Sequence, residues 1–460
     1  MTELRRSLGS LDGAAVVVAN VVGTGIFLTP AFIARRVPDA TWFLGLWAAG
    51  GALAVVGALA YAELAAMRPR AGGEYVYIRE AFGPLAGFLS GWTSLVAGFS
   101  GAIAAAAVGI AVYLDRILPG AGATEALLEL PLGVPSLTLA VTPRALVALA
   151  VIGVFSAIHA RGLVAGRIAQ QLLAWLNVGT ILLLVGLGLL ALRGGEAASA
   201  VAAAGAGAAG AAGEVAAGPE PGGVLVALVL VMFTYSGWNA AAYVAGELRE
   251  PARTVPRSLL GGTGVVIVLY LALSALYVLV LGVGGIAGAE ATGDRVVEVL
   301  WGATGTRLFT PLILLVLASS VSAMVLTGPR VYYAMAGDGC LPDAFARLGH
   351  GDVPTFAIGV QAAWSAVLVL TGGFEALLTY TGFAVVLFGG LGVAALFVLR
   401  RKRPNDPRPF RAWGYPWAPA LFIAAAVAMV IQSILRAPGP SLAGVALIAA
   451  GVPVFWWVRE

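Results

Sequence analysis

The stretch Asn20-Val21-Val22-Gly23-Thr24-Gly25-Ile26-Phe27 interrupts the first long apolar run of this 460-residue chain, and Phe233-Thr234-Tyr235-Ser236-Gly237-Trp238-Asn239 interrupts the sixth. Glycine inside a helix costs about 1 kcal/mol relative to alanine. Backbone groups left unpaired in hydrocarbon cost several kcal/mol each, so a helix broken at membrane depth persists only where it lines a cavity. Gly-interrupted segments at corresponding places in two halves of a chain point to a transporter's binding site.

Around these stretches the chain is 60% hydrophobic and 11% charged, with a mean hydropathy of +0.94. A soluble domain carries about twice that share of charge, so the sequence reads as an all-α integral membrane protein. Apolar runs of about 20 residues give twelve spans, at 13–34, 41–66, 84–114, 144–158, 164–192, 223–246, 258–284, 308–335, 354–371, 375–399, 416–436 and 441–458. No cleavable leader is expected, because residues 2–12 form a polar tail without a small-residue cleavage site. If the amino terminus is cytoplasmic, most of the 27 Lys and Arg fall inside, among them Arg68, Arg70, Arg79, Arg249, Arg253, Arg257 and the run Arg400-Arg401-Lys402-Arg403. The positive-inside rule expects that asymmetry. Orientation and contact with anionic lipid headgroups account for the net charge of +4 without a nucleic-acid partner. The expected location is the inner (plasma) membrane, crossed many times.

One cysteine, Cys340, and two histidines, His159 and His350, leave no material for an intramolecular disulfide or a His/Cys metal cluster. No phosphate-binding loop motif is present, and no nucleophile, base and orienting group meet in one motif. The reading is therefore not an enzyme, and no cofactor is expected. Residues 193–223 are almost wholly Gly and Ala and read as an external loop. That loop divides the chain into halves at 1–192 and 223–399, with the separator at 193–222 and a remainder at 400–460. Five spans per half force opposite orientations, which is the inverted-repeat condition. Spans eleven and twelve lie outside the repeat, and Trp413, Tyr415, Trp417, Trp456 and Trp457 read as interfacial anchors.

Four signatures in order make the chain resemble the amino acid/polyamine/organocation (APC) superfamily, and within it the L-type amino-acid transporter branch. They are Gly23-Thr24-Gly25-Ile26-Phe27; Tyr61-Ala62-Glu63-Leu64 followed by Gly72-Gly73-Glu74-Tyr75-Val76-Tyr77; Tyr235-Ser236-Gly237-Trp238-Asn239 with Glu247, Pro251 and Val255-Pro256-Arg257; and the 330–342 segment ending Asp338-Gly339-Cys340-Leu341-Pro342. The resemblance implies a LeuT-like five-plus-five inverted repeat with discontinuous first and sixth helices, two added helices, and secondary transport of amino acids by alternating access. In eukaryotic members of this branch it also implies a disulfide to a single-span glycoprotein through the loop after span three. The corresponding residues 115–143 contain no Cys, so no such partner is expected, and the chain is read as a monomer or homodimer.

A zwitterionic ligand needs donors for its carboxylate and acceptors for its ammonium. Unwinding at Gly23 frees N–H groups at the positive end of the following half-helix, which assigns the carboxylate to Thr24, Gly25 and Ile26. Unwinding at the second break exposes carbonyls near Phe233, Thr234 and Ser236 for the ammonium. Phe233 reads as a gate. Asn239 either reaches the ligand or ties span six to a neighbour, and Trp238 is either packing or pocket wall. The family's pocket is lined by spans one, three, six, eight and ten, none of which carries a central Asp, Glu, Lys or Arg, so neutral amino acids are favoured over charged ones.

In the resembling family the fifth span often bears a lysine between spans one, five and eight. Here Asn177 stands there, and the one lysine of the chain is Lys402. Two readings stay open. Ser319 and Ser320 with carbonyls near Ala19 and Val22 hold a sodium ion, or Asn177 bonds the same groups with no ion and the protein exchanges or facilitates. Glu63 is the main candidate for a proton-coupling group, with pairing to a loop arginine as its other reading. Beside neutral amino-acid transport stand a cation-coupled symporter, a polyamine carrier and a non-transporting amino-acid sensor.

Overall fold

Short capping signals fix where the apolar runs become helices. Asp39 accepts the Trp42 N–H at 2.9 Å at the start of helix Ala40–Met67, and Thr142 accepts the Ala145 N–H at 3.0 Å ahead of Pro143. Each satisfies one of the donors that a helix start leaves over. The computed structural model describes residues 6–131, 138–193, 221–289, 291–349, 351–371, 374–436 and 438–459. The expected Gly/Ala-rich separator falls almost wholly outside the described residues.

In chain order the helices are α1 (Ser10–Val21), α2 (Thr24–Ala34), α3 (Ala40–Met67), α4 (Glu74–Phe82), α5 (Pro84–Thr93), α6 (Ser100–Leu114), α7 (Pro143–Ala160), α8 (Leu163–Arg193), α9 (Pro221–Thr234), α10 (Ala240–Tyr243), α11 (Pro251–Ala287), α12 (Thr292–Gly337), α13 (Thr355–Thr371), α14 (Phe374–Lys402), α15 (Trp417–Arg436), α16 (Pro438–Ala449) and α17 (Gly451–Arg459). Among the described residues nine helices are long and apolar enough to cross a membrane, ten if the bent pair α1 and α2 counts as one span. Gly222–Thr234 and Thr355–Thr371 are shorter apolar helices.

Several expected spans differ in form. The third is α5 and α6 joined through a π-helical turn at Ser94–Phe99. The seventh and eighth extend into α11 and α12, each bent at a glycine with positive φ, Gly282 at 63° and Gly302 at 61°. Only glycine takes that conformation without strain. The last span divides into α16 and α17. The all-helical expectation also missed a small antiparallel hairpin, β1 (Leu128–Pro131) with β2 (Thr138–Val141), in which Leu128 faces Val141.

The core forms where α1 packs between α8 and α11, and where α3 packs on α11 and α6 on α12. The most apolar window of Pro84–Leu114 is 72% buried, against 22% for both Trp417–Arg436 and Ser441–Val458. The last two spans are therefore peripheral, presenting Leu421, Ile431, Leu435 and Leu442 outward. Such exposed aliphatic side chains suit a hydrocarbon surrounding.

One face of the bundle is stitched by ion pairs. Glu63, fully buried, accepts from Arg400 at 2.9 and 2.5 Å and from the Ala412 N–H at 2.7 Å, with Arg408 at 3.3 Å. Its pairing with loop arginines is as the second reading of that residue expected. Arg330 and Glu247 meet at 2.9 Å with side chains only 1% exposed. Removing one member of such a pair strands the other charge, at about 3–5 kcal/mol. Glu247→Ala is expected to lose that much stability, with the Glu247→Ala/Arg330→Ala double variant recovering part of it; melting in detergent checks both.

Arg68 bonds both Glu80 and Asp406, and those bonds hold the two carboxyl groups below their ordinary range, against an opposing desolvation. Because both folded pKa values are depressed, the stabilisation is present above the unfolded carboxylate value of about 4 and disappears as pH falls through the folded ones. The melting temperature is expected to fall on acidification below about pH 4, and less steeply in Arg68→Gln.

Candidate functional site

Both glycine-rich stretches are breaks. The first bends α2 by 41° from α1, with Val22 extended and Gly23 at φ −153°, ψ −147° capping α2 through no side chain. At the second, α9 ends at Thr234, Gly237 takes φ +105°, and α10 begins at Ala240. The two interlock. A Cβ on Gly237 would lie 2.8 Å from the Asn20 carbonyl carbon, and one on Gly25 would lie 2.8 Å from Thr234 Cγ2 and 3.1 Å from its Cα. Thr29 and Thr234 join their hydroxyls across the crossing at 2.8 Å. Here glycine is required by close approach and, at Gly237, by backbone conformation as well.

Accounting for the freed backbone groups shows what the site offers. The Tyr270 hydroxyl of α11 reaches the carbonyls of both breaks, Val21 at 2.7 Å and Thr234 at 3.2 Å. The Asn177 amide donates to the Val22 carbonyl at 3.1 Å, and the Phe233 carbonyl accepts the Ser236 N–H at 3.0 Å. The carbonyls near Phe233 and Thr234, expected to lack partners, therefore each have one and keep a second lone pair. The first-turn N–H groups of α2 have no intrahelical acceptor and no capping side chain from Gly23. What remains is richer in donors than in acceptors, which suits an anionic group.

A cavity of about 80 Å³ opens beside the second break, lined among others by Asn20, Ser94, Phe99, Ser236, Asn239 and Glu74. That exceeds the roughly 10–15 Å³ a single water needs, so the space admits a small polar molecule. The π-helical turn supplies Ser94 and Phe99, and such turns gather at functional sites because they redirect side chains within a helix.

Of the residues expected at the site, Ser236 and Asn239 line this cavity. Thr24 is buried against Gly109, Gly25 and Ile26 are buried at the start of α2, and Phe233 lies against Gly382. The rings of Trp238 and Tyr61 are 4.8 Å apart and those of Trp238 and Phe422 5.9 Å, a packing position. Asn239 both lines the cavity and donates to Glu74 at 3.2 Å and to the Tyr243 hydroxyl at 2.9 Å.

Around the first break the structure gathers Val22, Asn177 and Ser320, whose Oγ faces Gly23 closely enough to exclude a Cβ at 2.5 Å. Ala19 packs with Ala174 and Ala323. Among the described residues the buried Asn177 Oδ1 and Ser319 Oγ atoms have no hydrogen-bond partner. Among the described residues no three His, Cys, Asp or Glu gather as a metal group would require.

Sequence reasoning missed Tyr270 and Glu74. Tyr270 lies in an apolar run with no local signal. Glu74 belongs to the second family signature, but it lies on α4, which connects two spans, so no pocket-lining span carries it. It is 7% exposed, and its Oε2 accepts from the Tyr61 hydroxyl at 3.0 Å and from Asn239. Burial on this connecting helix pushes its carboxyl upward from the usual range, partly offset by hydrogen bonds from Tyr61, Tyr243 and Asn239.

A multi-pass helical membrane protein with two interlocked helix breaks beside a polar cavity is the class these features define. The amino acid permease family matches residues 8–458, and the chain belongs to that family. It is 26% identical over 458 residues to the large neutral amino acids transporter small subunit 2 of Homo sapiens, covering 98% of this chain and 80% of that protein. It is 24% identical over 463 residues to the serine/threonine exchanger SteT of Bacillus subtilis (strain 168), covering 99% and 98%. Against the cystine/glutamate transporter of Homo sapiens it is 25% identical over 458 residues, covering 99% and 85%.

Tyr270→Phe leaves two buried carbonyls short of a donor, at about 1–3 kcal/mol. The expected outcome is a lower melting temperature in detergent; an unchanged one would show that neither break depends on this hydroxyl.

Proposed function

We propose that this protein is a secondary transporter of neutral L-amino acids that works by alternating access, by exchange or facilitated transport. The interlocked breaks carry the reading. In this reading the uncapped N–H groups of Thr24, Gly25 and Ile26 take the carboxylate of a zwitterion and the carbonyls near Phe233, Thr234 and Ser236 take its ammonium, and the packing of Gly25 on Thr234 supports it by bringing the two stretches together. The named cavity lining contains no Lys or Arg, which disfavours a substrate with an acidic side chain. The relatives named as a large neutral amino acids transporter subunit and as a serine/threonine exchanger support both the substrate class and the exchange mode.

The architecture that goes with this function has twelve spans. Spans one to five (1–192) and six to ten (223–399) form inverted repeats about the separator at 193–222, and residues 400–460 add the basic loop and two peripheral spans. The amino terminus is cytoplasmic in the plasma membrane, a placement supported by the Arg-rich face around Arg68, Arg70, Arg79 and Arg400. Phe233 closes over the ligand from the edge of the second break. The Asn177 amide, bonded to the Val22 carbonyl, stands in for a coupling ion between the first break and Ser319 and Ser320, so transport proceeds without sodium.

The test is counterflow of radiolabelled neutral amino acids in liposomes containing the purified protein, in sodium-free buffer. Wild type is expected to exchange. Gly25→Leu, whose side chain would enter Thr234 and cover the N–H groups, is expected to insert normally and lose binding at least about tenfold, or more than about 1.4 kcal/mol. Saturable binding without flux would replace the transporter by a sensor, and unchanged affinity in Gly25→Leu would remove the carboxylate assignment.

A further inference from the structure

We propose that Glu74 is a proton-binding site of the transport cycle, taking up one proton from one side of the membrane and releasing it to the other as the cavity changes sides. The inference rests on the reading of this chain as a transporter and takes the place of its uncoupled, facilitated mode: exchange persists as counterflow, while net amino-acid movement accompanies proton movement.

The observation behind it is an exception. On the Arg-rich face the buried and half-buried acids have cations. Glu63 has Arg400 and Arg408, Glu80 and Asp406 share Arg68, Asp338 has Arg70 and Arg79, Glu247 has Arg330, and Asp12 has Arg167. Glu74 has no ion pair among the described residues, although it is as buried as most of them. Neutral groups hold it, the Tyr61 hydroxyl of α3 and the Asn239 amide at the second break.

The groups facing it from each side leave no cation to spare. Tyr61 comes from α3, Tyr77 from its own helix, and Tyr243 from α10. From α14, Arg400 is bound to Glu63 and Lys402 donates to the Ala81 carbonyl at 2.9 Å, while Arg401 is exposed. From α12, Arg330 is held by Glu247 and Tyr332 donates to Gln361, and α5 carries no titratable side chain. A carboxylate in such a place is stabilised by neutral donors alone, and burial favours its neutral form.

Glu74 is nevertheless on the wall of the cavity, within reach of whatever enters it. When the cavity is open to water the carboxylate can be solvated and lose its proton. When the cavity is closed, the proton is the charge that lets the group stay buried. Its bond to Asn239 places that change of state directly on the second break, so protonation and rearrangement of the break are linked. A neutral, protonated Glu74 also fits a cavity that takes neutral side chains.

Liposomes loaded with a pH-sensitive dye, with the membrane potential clamped by potassium and an ionophore, test this. Addition of a neutral amino acid to wild type is expected to move protons in the same direction, and an imposed gradient of one pH unit is expected to drive accumulation of up to about tenfold. In Glu74→Gln, proton movement and gradient-driven accumulation are expected to vanish and the counterflow rate to lose its pH dependence, whereas Glu74→Asp restores the proton movement. Wild-type transport with no proton movement overturns the proposal, whether or not Glu74→Gln can be purified. So does gradient-driven accumulation that persists in Glu74→Gln. Competition by cationic amino acids that Glu74→Gln abolishes, without proton movement, assigns the carboxyl to a substrate ammonium instead. Absence of any wild-type counterflow sinks the transport reading itself, and this one with it.

Discussion

Hydrocarbon supplies no hydrogen bonds, and the organisation of this protein follows from that lack. Each helix that unwinds at membrane depth exposes peptide groups that must find partners inside the bundle. The two breaks solve this jointly. Tyr270 reaches a carbonyl from each, Asn177 serves the Val22 carbonyl, and Thr29 and Thr234 bind each other across the crossing. The unsatisfied remainder, the N–H groups at the start of α2, is what a bound anion can use.

The crossing also explains the glycines more fully than helix breaking does. Either break alone needs only residues of low helix propensity. The approach of Asn20 to Gly237 and of Thr234 to Gly25 needs the absence of a Cβ at both places. Each half of the site is therefore built against the other, and the surrounding helices α3, α8 and α11 hold that contact from outside.

Much of this was legible in the sequence because it depends on composition and spacing. Apolar runs marked the helices, although those at the sixth and ninth runs, Gly222–Thr234 and Thr355–Thr371, are shorter than the others; basic loops marked one face, and Gly23, Gly25 and Gly237 marked the breaks. The pairing of Glu63 with arginine was legible too, since an acid near a span end among basic loops has few other options. What escaped depends on contacts between distant elements. No local pattern announces that Tyr270 points at two carbonyls, that residues 94–99 wind as a π turn, or that α4 folds back to put Glu74 on a cavity wall. A hairpin of four-residue strands in the loop after the third span is likewise too short to show an alternation. Trp238 illustrates the middle ground: the residue type allowed wall or packing, and only the positions of Tyr61 and Phe422 decide.

A phenolic hydroxyl owns a single hydrogen, yet Tyr270 stands within bonding distance of two acceptors. The distances rank them: Val21, at 2.7 Å, takes the larger share, and Thr234, at 3.2 Å, is left electron-rich. Of the two kinked segments it is thus the later one whose carbonyl keeps the larger share of its accepting capacity. For the zwitterion proposed above, that asymmetry would settle which end meets which segment before any side chain of the guest is considered.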